Sequence, residues 1–188
     1  MPKKPLKVGF DLDGVLLYNP ARIARPIIAQ SKKFLFKKDT TKFHFPKKPW
    51  EQWAWKWLHL SSISIADGFE DVKEMIDNKQ IEAYIITARY SFLREDFEQW
   101  KLKLNTKQYF KECYNNENDE QPHIYKANLV KKLGLDVFVE DNWDIVQHMA
   151  KTTKTKVYWI SNVLDYKIKY PYKHLSFKKA VDDIKASL

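Results

Sequence analysis

A single cysteine occurs among 188 residues. Cys113 can close no internal disulfide, and with no Cys or His neighbours at ligand spacing it belongs to no zinc site, so it reads as an inert, half-buried thiol. Long apolar runs are also missing: nothing approaches the roughly 18 consecutive apolar residues of a membrane span. The basic start MPKKPLK is not followed by the apolar stretch and small-residue cleavage site of a secretory leader. A cytoplasmic protein without membrane association is expected. There is no internal repeat and no low-complexity linker, and His44, His59, His123, His148 and His174 share no spacing that suggests a metal site.

What is present describes a folded globular chain. Hydrophobic residues make up 44%, charged residues 30% and aromatics 15%, which excludes disorder, collagen and a coiled coil. The length fits one ordinary domain carrying a small insert. The formal charge is +9 and unevenly spread: residues 21–60 hold ten lysines or arginines against Asp39 and Glu51, a local excess of eight. Such a patch concentrates anionic substrates and is compatible with nucleic acid, or it simply keeps a surface solvated.

Four short apolar, β-branched or aromatic runs, at residues 7–10, 83–86, 137–139 and 157–160, have the continuous hydrophobicity of strands buried on both faces. Residues 108–114 are a candidate fifth strand, followed by the polar loop NNENDEQ at 115–121. Helical patterns fall between the runs, at 69–79, 91–104, 126–133, 142–151 and 177–185. Alternating strands and helices predict a Rossmann-like α/β domain, a parallel sheet covered by helices on both faces. Residues 19–66 break the alternation. A helix over 19–30, a hairpin around 37–41 and a helix over 50–60 predict a small, mainly helical cap inserted after the first strand, leaving a core of residues 1–18 and 67–188.

In an open parallel sheet, ligands bind beyond the carboxyl ends of the strands. The first strand end holds Asp11 and Asp13 in KVGFDLDGVL, the second Thr87 in IITAR, the third Glu140 and Asp141 in VFVEDN, and the fourth only Ser161 and Asn162. Carboxylates so gathered repel one another unless a cation neutralises them, and an oxygen-rich set without thiolates favours Mg²⁺. A lysine, Lys126 at the expected start of its helix, is placed to hold phosphate oxygens. Asp144 is a first-turn residue that favours a helix dipole instead.

The residues now resemble the haloacid dehalogenase-like superfamily of phosphohydrolases, whose four motifs occur in order: DLDGVL from Asp11, the threonine of IITAR, Lys126 in IYKANLVKKLG, and the acidic pair of VFVEDN. The resemblance spans residues 7–142 and implies that Asp11 is the nucleophile forming an aspartyl-phosphate and Asp13 the general acid and base. It further implies that Thr87, Ala88 and Lys126 bind the phosphoryl oxygens. Mg²⁺ would be held by Asp11, the Asp13 backbone carbonyl and Asp141, with Glu140 in support. The insert lies where the superfamily carries its first type of cap. The closest in type are small nucleotidase-like members acting on small phosphorylated substrates.

Arg89, just beyond Thr87, is either a substrate contact or an exposed charge. Trp50, Trp53 and Trp57 share one helical face and read as cap core or as stacking partners for a base, while Trp55, off that stripe, is the better specificity candidate. Phe34, Phe36, Phe43 and Phe45 invite the same two readings, with core packing ahead of stacking. Two other functions compete: a nucleic-acid end phosphatase, suggested by charge and aromatics, and a non-catalytic binding protein on the same fold. A response-regulator receiver is excluded by motif order, since its acidic pair precedes its lysine. Oligomeric state is not legible in these features.

Overall fold

Residues 4–19, 43–60, 62 and 64–188 are described by the computed structural model of the chain. The first apolar run forms β1 (Leu6–Phe10). Two short strands, β2 (Leu17–Tyr18) and β3 (Ser64–Ile65), pair antiparallel and tie together the ends of an excursion whose described part contains helix α1 (Pro49–Leu60). The helix expected over 19–30 and the hairpin around 37–41 fall on residues 20–42, outside the described residues, as do Phe34 and Phe36.

After the excursion come α2 (Phe69–Asp77), β4 (Ile81–Tyr90), α3 (Arg94–Lys103), the single turn α4 (Thr106–Tyr109) and β5 (Glu112–Asn116). The chain continues through α5 (Pro122–Leu133), β6 (Val137–Glu140), α6 (Trp143–Thr152), β7 (Lys156–Ile160), β8 (Lys173–His174) and α7 (Phe177–Ala186). Six strands form one sheet in the order β5-β4-β1-β6-β7-β8, with every neighbouring pair parallel.

The apolar runs are continuous because alternate residues feed two different cores. Val8 and Phe10 of β1, Ala83 and Ile85 of β4, Val137 and Val139 of β6, and Tyr158 and Ile160 of β7 pack with α2, α3 and α7 through Val72, Met75, Phe97, Trp100, Val181 and Ile184. Tyr84, Ile86, Phe138, Val157 and Trp159 face the other way, onto Ala127 and Val130 of α5 and Ile145, Val146 and Met149 of α6. Gly9 is the small member of this second set. A Cβ there would lie 2.6 Å from Leu135 and 2.7 Å from Phe138, so the close approach of β1 to β6 requires glycine.

Three local expectations are corrected. The fifth strand begins at Glu112 rather than 108, because residues 106–109 complete a helical turn first, and it takes in Asn115 and Asn116 from the stretch read as a loop. Helix α5 begins at Pro122, whose fixed φ suits the first helical position, so Lys126 sits a turn inside the helix rather than at its start. The Trp50, Trp53 and Trp57 stripe is not a core: the three are 64%, 64% and 59% exposed, and the more buried side of α1 bears Gln52, Trp55 and His59.

Phe43 and Phe45 dock on the sheet domain. The Phe43 amide donates to Gln121 Oε1 at 2.8 Å, Gln121 Nε2 returns a bond to the Phe43 carbonyl, and the Phe43 ring stacks on His123. Phe45 meets Tyr90 edge-on with centroids 5.0 Å apart. His123 in turn meets His148 edge-on at 4.7 Å. Burial holds the His123 imidazole below its usual pKa, with the charge of His148 adding to it; burial and then Lys131 do the same to His148.

The unfolded chain therefore binds protons at these imidazoles more readily than the folded one, and stability falls as the pH drops through the ordinary imidazole range near 6.5. Melting temperature is expected to be lower at about pH 5.5 than at about pH 7.5, with a smaller difference in His123→Gln; an unchanged difference in the variant would contradict this reading.

Candidate active site

The register of β1 against β6 sets two carboxylates side by side. Phe10 pairs with Val139 and the Asp11 amide donates to the Val139 carbonyl at 3.0 Å, so Asp11 leaves the sheet beside Glu140. Asp141 follows directly. One oxygen from each of Asp11, Glu140 and Asp141 lies within 4.8 Å of the others, with Asp11 and Glu140 buried.

The inward side of α5 delivers Lys126 beneath this cluster, 1% exposed. Its Nζ lies 2.8 Å from Asp11 Oδ1 and donates to Glu140 Oε2 at 2.6 Å. The other Glu140 oxygen accepts the amides of Asp141 at 3.0 Å and Asn142 at 2.9 Å. Glu140 thus anchors both the lysine and the loop that starts α6, where Asn142 caps the helix by accepting from the Asp144 amide.

Burial opposes the charge on Lys126, but Asp11 and Glu140 outweigh it and hold the ammonium well above its usual pKa. Asp11 is pushed well up by burial; Lys126 pulls it down without cancelling that, and Glu140, Asp141 and Asp13 push it further up. One ammonium among three converging carboxylates leaves a local deficit of positive charge that a divalent cation would fill.

The fit for such a cation can be judged from the first loop. Gly14 has φ +83°, and a Cβ at this position would collide with the Asp141 carboxylate. Only glycine lets Asp141 reach over the Asp11–Gly14 turn. With Glu140 engaged on both oxygens, Asp11 and Asp141 are the side chains that could hold a metal, and this all-oxygen set suits a hard cation such as Mg²⁺.

Asp13 is held differently. Arg89 grips it bidentately, Nε to Oδ2 and Nη2 to Oδ1, both 2.7 Å, and Arg89 also donates from Nη1 to Asp96. Ser62 Oγ donates to Asp13 Oδ1 at 2.8 Å and accepts from Asn19 Nδ2 at 3.2 Å, while His59 Nδ1 of α1 stands 3.4 Å from Oδ2. Burial raises the Asp13 pKa, yet the charge and hydrogen bonds of Arg89, then those of His59, overcome it and hold the carboxyl well below the usual range. The excursion and the sheet domain thus meet at one side chain.

Arg89 is no exposed charge: it is 2% exposed. Its position follows from β4, which runs on to Tyr90 with a shift of register against β5 between Ile86 and Tyr90. Such an irregularity re-aims side chains. Thr87, expected just after the strand, lies within it; it is 1% exposed and its Oγ1 accepts the Arg89 amide at 3.3 Å. Ala88 beside it is half-buried. Trp55 is half-buried on the inner side of α1, its ring 6.3 Å from that of His59.

Sequence reasoning missed His59, Ser62, Asn19 and Asp96. For His59 a signal was available, since it follows Trp55 by four residues, one helical turn away from the Trp50 stripe. At the fourth strand end, Ser161 Oγ bonds the His174 carbonyl and Asn162 caps a turn through the Leu164 amide, so both are occupied locally.

No protein-family model and no curated protein matches the sequence. Solved structures do. A HAD hydrolase of family IA, variant 3, from Entamoeba histolytica aligns with TM-score 0.62 at 16% identity over 96% of this chain and 99% of that one. A putative beta-phosphoglucomutase from Thermotoga maritima aligns at 0.59 and 15% identity, over 97% and 100%. A HAD-superfamily hydrolase from Ehrlichia chaffeensis aligns at 0.52 and 14% identity, over 99% and 98%. At these identities the shared property is the fold.

Two outcomes are expected. Millimolar Mg²⁺ raises the melting temperature by mass action on the folded state, and Asp141→Asn abolishes most of that rise; an equal rise in the variant would place the cation elsewhere. Arg89→Ala leaves Asp13 buried without its partner and costs about 3–5 kcal/mol in denaturant unfolding, part of which Asp13→Asn in the same chain recovers; additive losses would contradict the coupling.

Proposed function

We propose that this chain, which has the fold of the haloacid dehalogenase-like hydrolases, is a Mg²⁺-dependent phosphomonoester hydrolase acting on nucleotides or similar small phosphorylated metabolites. The observation that carries the reading is the convergence of Asp11, Glu140 and Asp141 on buried Lys126 at the carboxyl ends of β1 and β6. Asp11, Asp141 and the Asp13 carbonyl would hold Mg²⁺, which would supply the charge neutralisation that lets a phosphoryl group approach the carboxylates.

The steps fall to the chain's own side chains. An Asp11 oxygen attacks phosphorus, the bond from phosphorus to the ester oxygen breaks, and an aspartyl-phosphate forms. Lys126 and Thr87 bind the non-reacting phosphoryl oxygens. The departing alkoxide takes a proton from the Asp13 carboxyl, and Asp13 then takes one from the water that attacks the intermediate at phosphorus, which restores Asp11 and releases phosphate.

Arg89 bears on the order of these events. While Arg89 holds Asp13, the carboxylate is ionised and fit to be a base. When the incoming phosphate competes for the guanidinium, Asp13 loses the partner that keeps it ionised and takes up a proton from solvent, the one it then gives to the departing alkoxide. The basic stretch 21–60 favours a dianionic substrate, and Trp55 with His59 supplies an aromatic wall that suits a nucleobase.

Hydrolysis of an aryl phosphate is expected to require Mg²⁺, to stop with chelator, and to fall on the order of 10³-fold or more in Asp11→Asn. Undiminished turnover in that variant would remove Asp11 as nucleophile. Within a panel of nucleoside monophosphates and sugar phosphates, the nucleotides are expected to have the highest kcat/KM and to lose the most in Trp55→Ala.

A further inference from the structure

The outer face of α1 carries three indoles that the catalytic chemistry does not use. Trp50, Trp53 and Trp57 recur at i, i+3 and i+7 and are 64%, 64% and 59% exposed, with the Trp53 and Trp57 rings 5.7 Å apart. Three large aromatics in one exposed row are unusual for a surface with no partner. They are separate from the inner side of the same helix, where His59 approaches Asp13 and Trp55 lies beside His59.

Among the described residues, the exposed charges next to this face are lysines. Lys47, Lys48 and Lys56 are exposed around the row. The one acidic residue of α1, Glu51, is turned back on the helix start, where its Oε2 accepts the amides of Lys47 at 2.9 Å and Lys48 at 3.1 Å. The stretch from which the helix comes carries the local excess of eight positive charges. A partner must therefore offer flat apolar faces to the indoles and negative charge to the lysines together. Unpaired nucleic acid does both along one chain, because every base has a π face and every linkage a phosphate.

We propose that the Trp50, Trp53 and Trp57 face of α1, flanked by Lys47, Lys48 and Lys56, is a docking surface for single-stranded nucleic acid. Bases stack on the indoles and backbone phosphates lie against the ammonium groups. Seven residues of helix separate Trp50 from Trp57, about 10 Å along the axis, which gives room for two or three stacked bases. The surface binds; it does not hydrolyse, so its test is independent of the phosphatase chemistry.

The experiment is fluorescence anisotropy of a labelled single-stranded oligodeoxynucleotide of roughly 20 nucleotides, long enough to span several binding footprints, with the full chain and with chelator present. Binding is expected to weaken steeply with added salt and to weaken about tenfold or more in Trp53→Ala/Trp57→Ala, with Lys56→Glu lowering the salt dependence. The tryptophan variant is expected to keep wild-type circular dichroism and aryl phosphatase activity in Mg²⁺. Quenching of indole fluorescence by the unlabelled oligonucleotide gives a second reading on the unmodified protein. No binding at low salt, or equal binding by the tryptophan variant, would overturn the proposal. So would a variant that loses association only with phosphatidylserine vesicles or only with a second copy of the chain.

Discussion

Lys126 lies 1% exposed between Asp11 and Glu140, and without it two carboxylates at neighbouring strand ends would face each other in an interior of low dielectric. An unpaired buried charge costs several kcal/mol, so the site and the fold around it depend on this ammonium. Glu140 transmits the constraint: one oxygen holds the lysine and the other gathers the Asp141 and Asn142 amides that start α6. A residue that anchors both a cation and a loop is poorly placed to ligate a metal as well, which leaves Asp11 and Asp141 as the side chains that could.

The two-faced sheet explains why such a cluster can be buried at all. Helices on both sides press apolar residues onto β1 and β6, and the glycine at position 9 lets those strands close up against Phe138 and Leu135. At the end of the same strand, Gly14 leaves the space that Asp141 enters. Asp13 emerges two residues after Asp11 but into another environment, the Arg89 fork and the His59 and Ser62 contacts of the excursion. Burial pushes both aspartates of this short motif up; at Asp11 Lys126 does not cancel it and neighbouring carboxylates add to it, whereas at Asp13 Arg89 and then His59 overcome it, so the two differ in pKa direction.

Much of this was legible in the sequence for simple reasons. Strands buried on both faces read as unbroken apolar runs, so their ends, and with them Asp11, Asp13, Glu140 and Asp141, could be located from composition alone. Lys126 was singled out as well, although its helix starts a turn earlier, at Pro122. Arg89 was singled out, but its grip on Asp13 was not legible, because its inward aim depends on a register shift in β4 that no local pattern encodes. Ser62 was equally hidden, and His59, although its place on the Trp55 side of α1 could be read, gave no sign of its target: they are 49 and 46 residues from Asp13 in sequence, and only the return of the excursion through β3 brings them to it. The tryptophan stripe stayed open between cap core and stacking surface for the opposite reason, since periodicity marks a face without saying whether anything covers it.

The central claim is that the Asp11 carboxylate attacks phosphorus. Its most direct measurement is borohydride quenching of the protein during turnover of an aryl phosphate in Mg²⁺, followed by peptide mass spectrometry. An acyl phosphate is reduced where a free carboxylate is not, so conversion of the side chain at position 11 to the corresponding alcohol is the expected result. Reduction at another carboxylate, or none while turnover proceeds, would contradict it.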